Sequence, residues 1–150
     1  MSYEPYSPNA QGLTEALIDL KTAFPGIVAQ KVTGYETTAF ENLNQGDAVY
    51  SRASDGQIGK AIASSTLDKA FVAGFVETTV SQGQTARVIV AGAIANSGLD
   101  AGDEYYLSAA SAGGIVKTPP STAGQYVTRV GEAVNTAQLV IRIEPPILLS

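Results

Sequence analysis

The sequence predicts an all-β, pseudo-two-fold β-barrel or clip preceded by an N-terminal extended arm and a short helix. Three observations lead there. Beyond Pro25 the apolar residues come in short runs separated by Gly, Asn, Asp and Ser, the pattern of strands joined by turns. A stretch of the chain occurs twice, as LNQGDAVYSRASDGQIGK from Leu43 and as LDAGDEYYLSAASAGGIVK from Leu99. A chain of 150 residues is long enough to bury a proper core as one domain with an appended arm.

The elements follow in order. Residues 1–12 hold Pro5, Pro8, Asn9 and Gly12 with no apolar period, and read as an extended arm. Leu13, Ala16, Leu17, Leu20 and Phe24 then fall at helical spacing. Thr14 is placed as N-cap and Glu15 and Asp19 sit near the favourable end of the helix dipole, before Pro25-Gly26 stops the helix. Such a short amphipathic helix is marginal alone and its stripe requires a partner surface. The first segment is therefore residues 1–26. The second, 27–150, is strand-rich, with signals at Val28, Val32, Thr37-Thr38, Val49, Ile58, Ile62, Phe71-Val72, Val76, Val80 and Val88-Ile89-Val90. Nothing after Pro25 reads as helix, and nine to eleven strands are expected.

The repeat divides the body into halves of about 43–95 and 99–144. Leu43, Gly46, Asp47 and Tyr50 recur as Leu99, Gly102, Asp103 and Tyr106 at an offset of 56 (99 − 43). Ile58 and Lys60 recur as Ile115 and Lys117 after one inserted residue, and Gly74 of FVAGFV aligns with Gly131 of TRVGEAV. A unit of this size with one apolar face cannot bury that face alone, so two together close one core. In each, Gly supplies an unusual backbone angle, Asp bonds nearby amides, and Tyr lies in the strand that follows with its ring buried.

Composition narrows the function. The charged fraction of 15% lies well under the roughly 25% of ordinary soluble domains, leaving a weakly charged exterior suited to packing against other protein. The net charge is −5 with no Lys/Arg cluster, which argues against nucleic-acid binding. With no Cys and no His, thiolate chemistry, the common zinc ligands and the Ser-His-Asp triad are excluded. The N-terminus lacks the basic and apolar regions of a secretory signal, and no apolar run is long enough to span a bilayer.

Candidate chemistry is sparse, and no cofactor is expected. Asp100, Asp103 and Glu104 with Asn96 could offer oxygens to a hard cation, but DAGDE does not match an EF-hand loop, and a structural turn is the simpler reading. Asp47 and Asp103 could be drawn as a glycosidase pair, yet equivalent turns sit apart and there is no Trp platform. AASAGGIV lacks the lysine and helix of a phosphate loop and reads as a hairpin loop, while PPSTAGQ reads as a loop between strands. More informative are the apolar ends. Ile147, Leu148 and Leu149 follow Pro145-Pro146, and either fold back on the barrel or pack against a neighbour. Tyr3, Tyr6, Leu13, Leu17, Leu20 and Phe24 pose the same choice.

The GD turns at Gly46-Asp47 and Gly102-Asp103, the phrase from Ala70 to Val116 and the ending from Thr118 resemble capsid decoration, or cement, proteins of tailed bacteriophages. The resemblance covers roughly residues 40–150. It implies a β-tulip or β-clip-like body, homotrimeric on the capsid, that binds the major capsid protein lattice and strengthens the head after expansion. It also implies an arm that aids attachment, a location on the virion after assembly in the host cytoplasm, and no catalytic residue. The runner-up is a trimeric head- or tail-fibre module binding a receptor or glycan.

Overall fold

The computed structural model describes residues 32–150, and the chain divides into two units between Gln30 and Lys31. The arm and helix expected over 1–26, with Tyr3, Tyr6, Leu13, Leu17, Leu20 and Phe24, lie outside the described residues.

Eleven strands and one helical turn occur among the described residues: β1 Thr33–Thr38, β2 Ala48–Ser51, β3 Ile58–Lys60, α1 Leu67–Ala70, β4 Gly74–Val76, β5 Thr85–Ala95, β6 Glu104–Leu107, β7 Ile115–Val116, β8 Tyr126–Val127, β9 Arg129–Asn135, β10 Gln138–Ile141 and β11 Ile147–Leu148. The body is all-β as expected. The turn α1 was not expected: Thr66 Oγ1 accepts the Lys69 N–H and caps a helix of four residues, too short to show a period. Consequently Phe71 and Val72 precede β4 instead of lying within a strand, and Ile62 joins no strand because its N–H donates to the Lys69 carbonyl at 2.9 Å.

Strand β5 is the spine. One edge pairs with β4 at Val88 and Ile89. The other pairs first with β1 and then, over Gly92–Ala95, with β10. Gly92 has φ +99° and stands where the partner changes; only glycine adopts that backbone freely. The main sheet runs β3-β2-β4-β5-β10-β9-β6-β7, with β1 on β5. This order is palindromic when β3 is matched with β7, β2 with β6, β4 with β9 and β5 with β10. On the same matching β1 corresponds to the C-terminal part of β5, so the first half begins at Thr33, earlier than Leu43, and β5 serves both halves.

Backbone hydrogen bonds repeat with the sequence. Gly46 N–H donates to Val76 O at 2.9 Å and Val76 N–H to Asp47 O at 3.0 Å; Gly102 N–H donates to Ala133 O at 2.7 Å and Ala133 N–H to Asp103 O at 3.0 Å. The ends of the sheet then meet. Ala48 N–H donates to Gly113 O at 2.9 Å, Gly113 N–H to Ala61 O at 2.7 Å and Ala63 N–H to Ser108 O at 3.0 Å, curling the sheet into a barrel-like body.

The expected single core is instead two. One cluster holds Ala39, Leu43, Val49, Ile58, Val76, Ala86 and Val88, all from the first half. Their second-half counterparts, among them Leu99 for Leu43, Tyr105 for Val49 and Ala133 for Val76, belong to the other cluster. There they pack with Ala48, Tyr50, Phe75 and Ile89 from the opposite side of the first half's sheet. The halves are thus stacked front to back. The first half's sheet is buried on both sides, so Ala48, Val49 and Tyr50 are all buried and the strand reads as a continuous apolar run. The second half's sheet is covered on one side only, so β6 alternates: Glu104 exposed, Tyr105 buried, Tyr106 half-buried, Leu107 buried. Tyr106 therefore does not bury its ring as Tyr50 does, and Tyr105 takes the core position.

Candidate interaction surface

The repeated motif is used by the fold. Gly46 and Gly102 take φ +88° and +87°, and each following Asp N–H closes its turn, Asp47 onto Asn44 O at 3.0 Å and Asp103 onto Asp100 O at 3.2 Å. Asp47 Oδ2 also accepts the Asn44 N–H at 2.8 Å. The repeated lysines complete the pattern: Lys60 Nζ lies 4.0 Å from Asp47, and Lys117 Nζ lies 3.5 Å from Asp103. The sequence signal for these pairs was present as a Lys that follows GD in each copy, with one residue inserted in the second.

The acidic group proposed as an oxygen cage does not converge. Lys117 Nζ bonds Asp100 and faces Asp103, Glu104 turns to Arg129 Nη2 at 2.8 Å, and Asn96 Oδ1 accepts the Ser97 N–H. No group of three or more His, Cys, Asp or Glu side chains suited to a metal ion occurs among the described residues. Asp47 and Asp103 each serve the turn of their own half.

A cavity of about 220 Å³ lies at the seam between the halves, lined by Gln45, Asp47, Asn96, Tyr105 and Gly113 among others. Its polar groups are occupied by the chain itself: Gln45 Nε2 donates to Ala95 O at 2.8 Å and the Tyr105 hydroxyl accepts the Asp100 N–H at 2.8 Å. Burial in this seam raises the Asp47 carboxyl above its ordinary range, against the lowering effect of the Asn44 amide and Lys60. A raised carboxyl binds its proton more tightly when folded than unfolded, so this group's contribution to stability falls as pH climbs from about 4, the ordinary carboxylate value, through the folded value. Asp47→Asn keeps the acceptor for Asn44 and removes that titration. Urea melts across this window are expected to show a flatter pH dependence for the variant, and equal slopes would contradict the burial.

Of the large apolar side chains exposed among the described residues, Val32, Tyr35 and Val134 lie just before β1, on β1 and on β9, whereas Leu67, Phe71, Ile147 and Leu148 belong to α1, its C-cap and β11. β11 pairs antiparallel with β8, Ile147 opposite Val127 and Leu148 opposite Tyr126, and Gly124 N–H donates to Leu149 O at 2.8 Å. The terminal backbone folds back on its own body, yet Ile147 and Leu148 remain 63% and 59% exposed, and Leu149 is half-buried. β8 in turn adjoins α1: Tyr126 N–H donates to Ala63 O at 2.9 Å and Thr128 Oγ1 to Ala70 O at 2.8 Å. On α1 and just after it, Leu67 and Phe71 are each 53% exposed and flank a groove of about 380 Å³ with Ser51, Ala53, Asp68 and Ala73. Phe71 was missed in the sequence because it reads as part of a strand with Val72, whereas it is the C-cap of the capped turn α1; Leu67, on that turn, carried no periodic signal.

No protein-family model matches this chain, and a search of curated proteins returns no match.

Proposed function

We propose that this chain is a structural virion protein, a capsid cement that binds the major capsid protein lattice as a homotrimer and stabilises the phage head without chemistry. The observation that carries the reading is the pairing of a body whose repeated polar motifs are consumed by turns and ion pairs with apolar side chains left exposed at Leu67, Phe71, Ile147 and Leu148. Exposed apolar residues grouped on adjoining elements mark protein contact surfaces. Contacts of this size are weak singly, and symmetric, multivalent attachment multiplies them into a firm clamp. The low charge of the chain and the resemblance over residues 40–150 point the same way.

Attachment is assigned to the arm and the predicted helix. Deleting residues 1–24 is expected to abolish co-sedimentation with capsid shells while leaving the circular dichroism of the strand-rich body unchanged. Undiminished sedimentation of the truncated, folded chain would remove the arm from the mechanism.

A further inference from the structure

Asp47 and Asp103 hold matched places in the repeat but unlike surroundings. The Asp103 side chain is 48% exposed and lies 3.5 Å from Lys117 Nζ. The Asp47 side chain is only 16% exposed and lies 4.0 Å from Lys60 Nζ, and the second half's segment 108–114 is seated against it. A Cβ on Gly113 would come within 3.0 Å of Asp47 Cγ and Oδ1, so this close approach needs a glycine. Beside it run the bonds that curl the sheet shut: Ala48 N–H to Gly113 O, Gly113 N–H to Ala61 O and Ala63 N–H to Ser108 O. Within the segment, Ser108 Oγ accepts the Ala110 and Ser111 N–H groups at 3.0 Å, tying it into a compact turn.

An ionised carboxylate is stable in a protein when several donors surround it, and Asp47 has few. Oδ2 accepts the Asn44 N–H, while Oδ1, against Gly113, accepts no hydrogen bond among the described residues. The charged groups that face it are Lys60 on β3 and Glu41 in the connection between β1 and β2. Segment 108–114 brings none, and the Tyr105 hydroxyl across the adjoining cavity is engaged by the Asp100 N–H. Charge on Asp47 is best relieved by water, which gains Oδ1 from that cavity when Gly113 withdraws. Burial accordingly raises this carboxyl, with the Asn44 amide and Lys60 opposing and Glu41 adding.

We infer that Asp47 and segment 108–114 form a proton-operated latch on the barrel: the segment is seated while Asp47 is neutral, and lifts to open the seam locally when Asp47 is ionised, both halves staying folded. The latch is independent of the virion reading. Its sign follows from the raised carboxyl. Closure is fullest below about pH 4, the ordinary carboxylate value, and is lost as pH climbs through the folded value. Asp103, exposed and with no segment seated on it, is no part of the device.

Amide hydrogen exchange followed by NMR over this window tests it, with rates corrected for the intrinsic effect of pH. In the full chain, protection at Ala48, Ala63 and Gly113 is expected to fall with rising pH, about tenfold for each unit by which folding raises the carboxyl. It is also expected to drop below that of Gly102 and Ala133, the matched amides beside Asp103, because local opening exposes the seam before the whole body unfolds. Asp47→Asn is expected to abolish the fall at the seam, and Asp103→Asn to leave it in place. Seam amides protected as well as Gly102 and Ala133 throughout would mean that only global unfolding exposes them, and would overturn the latch. A seam dependence that survives Asp47→Asn would overturn it equally. Should Asp47→Asn fail to fold, the comparison of seam and reference amides in the parent still decides.

Discussion

Ala48→Glu is expected to unfold the body or to destabilise it by about 4 kcal/mol or more, because it places an unpaired carboxylate in a core that cannot solvate it. Ala48 is fully buried and belongs to the cluster that joins the two halves, with Tyr50, Phe75 and Leu139. Its counterpart by the repeat is Glu104, which is exposed and meets Arg129. Glu104→Ala is expected to cost under about 1 kcal/mol, the usual worth of a solvated ion pair, since Glu144 still holds Arg129 at 3.2 Å. The two substitutions exchange the same residue types at matched positions. Urea unfolding of both variants would show a large loss for one and a small loss for the other. Similar losses would mean that the halves are not stacked front to back.

Phe75→Ala is expected to cost about 3–5 kcal/mol, the loss of a large buried ring plus the cavity it leaves, whereas Phe71→Ala, four residues earlier, is expected to stay within about 0.5 kcal/mol of the parent. Phe75 is fully buried between the halves, opposite Ala48 on β2 and Ile89 on β5. Phe71 is the C-cap residue of α1 and is exposed. The midpoint of chemical unfolding reads both, and a large loss for Phe71→Ala would place that ring in a core and take it off the proposed contact face.

Much of the fold was legible because its main device is local and repeated. Gly-Asp at fixed distance from Leu and Tyr, with a Lys following in each copy, requires the same turn, the same strand entry and the same ion pair in each half, and each of these is found in both. The inequality of the halves was also written in the residues, though it needs both copies side by side. Ala48 becomes Glu104 and Phe75 becomes Glu132, the substitutions of apolar for charged residues that a terminal repeat makes on the side left uncovered. Matching by motif alone aligned Tyr50 with Tyr106 and so missed that Tyr105 fills the core.

Other features were beyond periodic reading. A helix of one turn has no period, and Thr66 as its cap resembles any turn threonine. The correspondence of β1 with the end of β5 rests on pairing, since TGYETT and GAIA share no pattern of side chains. At the candidate surface, Ile147 and Leu148 were recognisable as apolar residues following Pro145-Pro146, while Phe71 was hidden in what looked like strand and Leu67 lay on a turn too short to show a period. The choice posed for the C-terminus was itself too narrow: the backbone docks on β8 and the two side chains still face outward.

The most direct test of the proposed role is the amount of this chain in purified virions, measured by quantitative mass spectrometry against the major capsid protein. A capsid cement is expected in a fixed ratio to shell subunits, on the order of the shell's own symmetry-equivalent sites. A few copies per particle would indicate a fibre module instead, and a chain absent from purified particles would contradict a virion role altogether.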